Sequence, residues 1–574
     1  LNTAIAPLAP TVVGTVTSYS ITPALPAGLA LETTTGNISG TPTSTSPQTT
    51  YTITASNATG STTFPLSLKV FTVMLDTDRI TRLTAEGASI YPTVAVRPVN
   101  LEVQALYAKA QDPTGVILPA VQVATNGDGS FTLQLTTNPS VAPSLLAGDV
   151  TLNLCRDSNC ATPLEVPSLV VPFSINVLGT AATAWPGDHL TALAAWNGVA
   201  EWQTVQGNAS HTGFVPALVD PDQFTTRWKM TANGLWNAWS SGKPNLVTSD
   251  GLFFVVSSQY LDSGVIYARR EFDGSEVWHY SFAGMTYPAA NPAAVSNGVV
   301  YLAAGHQSET YMFALAATDG SAVYRAPMVS QWEGYLSPTV GPNGMLYANA
   351  GTYGGLYAFN PTGNQLFFAN EAQTSNWTPA VDSTGVYTYT GTLRVRDLLT
   401  GTVSNEIVDP TFQNYVYDIG GAPVLGAAGS VFVANYTNSA LNGGAIGNTL
   451  LNFRTSTNSI AWQVAGAYPT TPAYHGGVVY AANVVPLRLE ARAESDGALL
   501  WWWTPPHPGD SQFVSEVLLT SNLAFVSTNR ATYAIDLTTH RPVFSYPLSG
   551  KLALSPNGIL YIHNTTDLVA INLK

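Results

Sequence analysis

Short apolar runs separated by turn residues recur along this chain. In "YMFALAATDGSAVYRAPM" (311–328) an alternating apolar run meets Thr-Asp-Gly, and a second apolar run with an aromatic follows. Alternation of period two predicts strands, and the Asp-Gly between them predicts a tight hairpin. The figure returns at 264–282 (GVIYARREFDGSEVWHYSF), 355–370 (GLYAFNPTGNQLFFAN), 393–408, 450–466, 487–503 and 532–548, and its first half returns at 567–574. Ahead of each lies another pair of apolar runs, as in "PAAVSNGVVYLAA" (292–304) and "SPTVGPNGMLYANA" (337–350). The unit is therefore four short strands with a period of roughly 36–49 residues, the signature of a β-propeller.

Eight inner-strand starts can be read, near Pro244, Pro292, Pro338, Pro379, Pro423, Pro472, Glu516 and Leu552. The eighth unit lacks an outer strand, because the chain stops at Lys574. An orphan strand, "FTTRWKM" (224–230), precedes the first unit and carries a Trp where "SEVWHYSF" does. It is expected to complete the last blade, which hides the two edges an open ring would expose. The alternative is seven blades and a stray hairpin.

The front of the chain alternates in a different rhythm. Residues 1–70 include "YSITPALPAGLALETTTGNISGTPT" (19–43) and the clean alternation of "YTITASNATGSTTFPLSLKV" (51–70). Residues 71–180 hold further strands such as "SFTLQLTT" and "LVVPFSINV", and read as a second sandwich. The Ala-rich stretch 181–200 reads as a linker and 201–574 as the propeller.

Two resemblances rest on these residues. The propeller repeats resemble PQQ-like (quinoprotein-type) propellers, whose blades run aliphatic strand, Ala-x-Asp-x-x-Thr-Gly, then an aromatic. "WQTVQGNASHTGFVP" (202–216) is similar to the lead-in before such propellers in bacterial exported proteins. In this pattern the Gly makes the turn and the aromatic packs between blades. Residues 1–70 resemble the Ig-like modules of bacterial surface proteins, through Leu-Pro-x-Gly-Leu and Thr-Gly-x-Ile-Ser-Gly-Thr-Pro. The fold expected is all-β: two Ig-like β-sandwiches followed by an eight-bladed β-propeller. Modules of this Ig-like kind usually have one more strand ahead of "AIAPLAPTVVGTVTSY", so the first strand of 1–70 is expected to be missing. A neighbouring chain could supply it, giving self-assembly through the first domain; alternatively the natural chain extends upstream.

Composition narrows the classes. Of 574 residues only 10% are charged, and the net charge is −14. An acidic chain without a Lys/Arg cluster argues against nucleic acid as a partner. No apolar run approaches the roughly twenty residues of a spanning helix, so no membrane insertion is expected. Cys155 and Cys160, in "TLNLCRDSNCATPLEV", read as a hairpin disulfide and hence an oxidising compartment. The alternatives are two free thiols or half a metal site, but no second Cys pair or nearby His completes a zinc set. The expected location is secreted or cell-surface, with the periplasm as alternative.

Candidate chemistry is sparse. There is no G-x-S-x-G, Walker loop, H-E-x-x-H or Gly-rich dinucleotide turn. The histidines are scattered, and His211 in "NASHTG" reads as a structural turn residue rather than a ligand. The resemblance to quinone-dependent dehydrogenases implies calcium, an Asp base and often a vicinal Cys pair. Here no adjacent Cys pair exists, and the channel-loop carboxylates Glu333, Asp418, Asp510 and Glu516 are scattered. We expect no cofactor, no metal and no enzyme activity.

The links from each outer strand to the next inner strand do share a feature. They carry Trp236 and Trp239, Tyr287, Trp332 and Tyr335, Trp377, Tyr415 and Tyr417, Tyr468 and Phe513, with Asn237, Asn245, Gln331 and Asn376 beside them. Such rings with amides suit a glycan or an apolar peptide; the alternative is that they fill gaps between blades. The reading is an exported, non-catalytic structural or adhesive protein. The competing readings are a propeller dehydrogenase and a scaffold like the propeller lipoprotein of outer-membrane protein insertion.

Overall fold

The computed structural model describes the chain except for residues 78, 86–88, 104, 143, 179–189, 232–245, 260–262, 287, 306–308, 331–336, 373–376, 413–421, 436, 440–443, 447–448 and 506–508. The chain divides into two compact units, Leu1–Gly179 and Thr180–Lys574.

In the first unit, Ser18–Thr22, Ser46–Asn57 and Gly60–Val70 form one antiparallel sheet, and Leu29–Leu31 pairs with Ile38–Gly40. Tyr19, Ile38, Tyr51 and Val70 are buried between them. The glycines of the motif are required by close approach. A Cβ on Gly28 would run into the Thr41 carbonyl, and one on Gly40 into that of Gly28.

Residues 2–8 run along Ile38–Gly40, with Asn2, Ile5 and Leu8 N–H donating to Pro42 (2.9 Å), Gly40 (3.0 Å) and Ile38 (2.9 Å). Ile38 N–H returns a bond to Leu8 O at 3.0 Å. These bonds satisfy backbone groups of Ile38–Gly40 from a segment that is not a regular strand. The Pro residues at 7 and 10 hide this segment from a search for alternation.

The second sandwich stacks two four-stranded sheets. One holds Thr72–Leu75, Thr93–Val99, Gln122–Thr125 and Phe131–Gln134. The other holds Ile80–Ala85, Tyr107–Gln111, Ser144–Cys155 and Leu169–Leu178. Alternate residues, among them Val94, Val96, Leu133, Val150, Leu152, Val171 and Ile175, are fully buried between the sheets. Cys155 and Cys160 are disulfide-bonded, with Cα atoms 5.0 Å apart. Asp157, at the tip they close, accepts the N–H groups of Asn159, Ala161 and Thr162.

The second unit holds eight four-stranded antiparallel sheets among the described residues. The first is Val247–Ser249, Leu252–Gln259, Ser263–Arg270 and Glu276–Ser281, hydrogen-bonded in chain order. Six more follow within 294–328, 339–370, 380–408, 424–465, 473–503 and 518–546. The last joins Lys551–Leu554, Ile559–His563 and Asp567–Asn572 to Thr225–Thr231, from the opposite end of the unit. In each of the first seven blades the turn between third and fourth strands lies on one face, here the turn face. The link to the next blade lies on the other, the link face.

On the turn face each blade docks on the next through a recurring contact. A side chain near the start of the outer strand packs on the left-handed residue of the next blade's turn. Trp278 meets Gly320, Tyr324 meets Gly363, Phe367 meets Gly401 and Trp462 meets Gly497. A Cβ on Gly320 would come within 2.6 Å of Trp278, and one on Gly401 within 2.5 Å of Phe367. Trp228, Trp278 and Trp462 also donate from Nε1 to carbonyls in those turns, those of Glu271, Ala317 and Glu494. Two turns use another residue at positive φ. Asn458 (φ 50°) takes Asn405, and His540 (φ 57°) stacks on Trp501 at 4.4 Å. At the closing blade there is no turn, and Phe544 packs on Phe224 at 5.1 Å.

Of the stretch 181–200 expected to be a linker, residues 190–200 are described and 181–189 lie outside the described residues. Thr191 O accepts from Arg227, Trp196 N–H donates to Pro556 O (2.7 Å), and Lys574 lies over the Trp196 ring and bonds Ala194 O. Residues 190–200 thus pack on the propeller, because they supply acceptors to a buried guanidinium and to the last lysine.

Candidate functional site: the hub and the link face

The innermost strands of a propeller surround a channel, which is the natural place for a cofactor. Here residues 202–215 run around that hub as a strap. The Trp202 carbonyl accepts Thr248 N–H of the first blade (3.0 Å), and Gln203 O accepts Val295 N–H of the second (2.8 Å). Thr204 Oγ1 donates to Pro338 O, leading into the third, at 2.8 Å. Ala209, Ser210, Thr212 and Gly213 then offer carbonyls to Val381, Leu425, Tyr474 and Leu519 of the fourth to seventh blades, at 2.7–2.9 Å.

The strap's polar side chains face inward and are satisfied there. Gln206, at φ 55°, donates from Nε2 to Pro472 O (2.9 Å) and Val517 O (3.2 Å). His211 is fully buried, and burial pushes its pKa down to about 4. Its imidazole is therefore neutral at ordinary pH. Nδ1 lies 3.0 Å from the Pro423 carbonyl, which can only accept, so Nδ1 carries the proton. Nε2 then accepts from Thr339 Oγ1 at 3.3 Å. His211 is a hub fastener, in line with its reading as a structural residue.

The link face is held by carboxylates. Glu371, with no exposed side-chain surface, takes Arg396 at 2.8 Å, Arg394 at 2.8 Å and the Thr388 hydroxyl at 2.8 Å, so the end of the third blade grips the fourth. Asp409 accepts Tyr389 OH (2.6 Å) and Asn435 Nδ2 (2.8 Å), bridging the fourth and fifth. Glu490 accepts Asn483, Arg488, Arg492 and Tyr468 OH, the last reaching from the fifth blade's link. Burial pushes Glu490 up, but those donors outweigh it and hold its carboxyl below the ordinary value. Asp510 accepts Thr528 and Tyr533 hydroxyls, and Glu516 pairs with Lys551 at 3.1 Å. Among the described residues no group of three or more His, Cys, Asp or Glu could hold a metal.

The aromatic residues expected to form a ligand face separate into two sets. Trp377 is fully buried with Tyr347, Phe367 and Val381, and Phe513 is buried with Trp503 and Tyr533. Both are core rings between blades, which corrects the expectation for them: a ring without exposed surface offers no face to a ligand. Tyr468 is likewise buried. Trp236, Trp239, Tyr287, Trp332, Tyr335, Tyr415 and Tyr417 lie outside the described residues, as do Glu333 and Asp418. Glu371, Asp409 and Glu490 were not singled out from the sequence. A carboxylate or tyrosine just after an outer strand was the available signal, but the residue type varies from link to link.

Fold and hub together define an all-β chain in which an Ig-like unit is joined to a propeller of four-stranded blades. Residues 2–71 match the family described as "Putative Ig domain" (He_PIG). No curated protein matches the chain. Solved structures similar to it include BamB from Moraxella catarrhalis, at 12% identity and TM-score 0.43, covering 61% of this chain and 97% of that one. The Dos1 propeller matches at 10% identity and TM-score 0.42, covering 61% and 96%. The dihydro-heme d1 dehydrogenase NirN, in complex with DHE, matches at 13% identity and TM-score 0.38, covering 54% and 66%. Among the described residues no helix is long and apolar enough to cross a membrane.

Proposed function

We propose that this chain is an exported, non-catalytic binding or adhesive protein of the cell surface, the extracellular space or the periplasm. The Ig-like unit acts as a spacer and a contact module toward other proteins, and the propeller presents its link face. The observation that carries this reading is the strap. It is hydrogen-bonded to the inner strands around the hub, and the link-face carboxylates Glu371, Asp409 and Glu490 are committed to holding blades together. A catalytic carboxylate must instead be within reach of substrate or metal. The disulfide is the support for an oxidising compartment.

The ligand class that suits the remaining link aromatics is a neutral glycan, with Trp332, Tyr335, Trp236, Trp239, Tyr287 and Tyr415 as the contact residues. The test is a glycan array followed by Trp332→Ala and Trp236→Ala. Loss of a binder in both, with unchanged thermal unfolding, supports the reading; binding untouched by either contradicts it. PQQ and calcium added to the intact protein test the competing enzyme reading. A stoichiometric quinone absorbance with alcohol oxidation would overturn the proposal.

A further inference from the structure

The ring closes where separated stretches of chain meet: residues 190–201, the closing strand Thr225–Thr231, the turn at 271–275, and the strands Ile559–His563 and Asp567–Asn572. Two buried charged groups sit in this seam. Arg227, 2% exposed, donates from Nε to the carbonyls of Glu271 (3.1 Å) and Phe272 (2.8 Å), and from Nη1 to Asn572 Oδ1 (3.0 Å). Its Nη2 donates to Thr191 O at 2.7 Å. Trp228 Nε1 bonds the same Glu271 carbonyl at 2.9 Å. The closing strand therefore grips the backbone of Glu271.

The donors to the Glu271 carboxyl group are neutral: the Tyr561 hydroxyl at 3.0 Å, Asn557 Nδ2 at 2.6 Å and the Ser555 hydroxyl. It is fully buried. Other ionisable groups surround it. Glu201, ahead of the strap, bonds Thr248 Oγ1 (2.6 Å) and Asp250 N–H (2.9 Å). The turn holding Asp250 lies beneath, since Glu271 N–H donates to Gly251 O. Arg269, Arg270 and Asp273 belong to its own blade, Arg227 to the closing strand and Tyr561 to the neighbouring blade. Burial pushes Glu271 up to about 7, with Glu201 adding to the rise, and burial raises Glu201 as well.

We propose that Glu271 is a proton-operated latch on the ring-closing seam. Protonated, it lets the closing strand, the first blade and the last blade pack without a buried carboxylate. Ionised, it is a buried charge held by neutral donors, with the Arg227 guanidinium tied to backbone carbonyls rather than to its carboxylate, and the seam loosens. The sign follows from proton uptake. An unfolded Glu loses its proton near 4.5, whereas the native one keeps it to about 7. Stability from this group is full below the lower value and falls as pH rises toward the upper one, up to about tenfold in the opening equilibrium per pH unit.

All 13 Trp residues lie in 180–574, so Trp fluorescence follows the propeller alone. Urea unfolding read this way from pH 5 to 8.5 compares the native chain with Glu271→Gln. The buried histidines titrate alike in both and cancel in the difference. The variant is expected to gain on the native chain with rising pH, by about a hundredfold in the unfolding equilibrium between pH 5 and 8. A difference that does not change with pH overturns the latch. If Glu271→Gln does not fold, Glu201→Gln is the second test. Removing that neighbouring charge must move the pH at which the propeller weakens downward, and an unmoved midpoint overturns the proposal.

Discussion

The two faces of the propeller are stitched by different chemistry. On the turn face, an aromatic ring packs on a glycine and donates into a neighbouring carbonyl, as Trp278 does with Gly320 and Ala317. On the link face, a buried carboxylate such as Glu371 gathers arginines and hydroxyls from the next blade. The first contact gains from burying a large ring on backbone. The second cannot be cut on one side without leaving charge behind. The turn face should therefore degrade gradually under substitution, and the link face abruptly.

The largest effect is expected for Glu371→Ala. It strands Arg394 and Arg396, of which Arg396 is only 7% exposed, and should cost about 3–5 kcal/mol. Urea unfolding followed by Trp fluorescence reads it, and a loss under about 1 kcal/mol would mean that solvent screens the cluster. Next is Trp462→Ala, which removes a buried ring and its 2.7 Å bond to Glu494 O and should cost about 3 kcal/mol. Gly401→Ala is smaller, about 1–2 kcal/mol, from a φ of 71° and the encounter with Phe367. The smallest is His540→Gly. Relief of the positive φ offsets the lost stack on Trp501, so the net change should stay within about 1 kcal/mol. A loss as large as that of Trp462→Ala would show that the stack, not the turn, holds that blade.

The same contrast explains what was readable in the chain. The residues of the turn-face contact sit at a fixed spacing within each blade, as Gly320 and Tyr324 or Gly363 and Phe367 do, because they flank one short hairpin, although each contacts a neighbouring blade. Repetition exposed it, together with the closing strand around Trp228. The link-face contact joins residues whose separation follows the lengths of links and insertions, 17 positions from Glu371 to Thr388 and 26 from Asp409 to Asn435. No period marks it. Trp377 and Phe513 were misassigned for a related reason: position on a link does not say whether a ring turns inward. The strap was legible as a lead-in but not as a fastener of the inner strands, since its bonds use backbone carbonyls that any residue could supply. Residues 2–8 escaped in the same way.

Buried histidine adds a pH dependence of opposite sign to that of the seam. His211 is neutral in the hub, held down to about 4. Its contribution is present above about 6.5, the unfolded value, and is lost as pH falls toward 4. His211→Gln should flatten the acid limb of propeller stability while leaving the behaviour above neutrality unchanged. An unaltered acid limb would remove His211 from the account of the hub.

The central claim is that the chain's own strap is bonded to the inner strands around the hub. Amide hydrogen exchange of Thr248, Val295, Val381, Leu425, Tyr474 and Leu519 tests it most directly, because each of these N–H groups donates to a strap carbonyl. The account predicts that all six exchange as slowly as amides of the central strands, such as those in Val299–Ala304. Exchange of these six at the rate of open loops, with the central strands still protected, would contradict it.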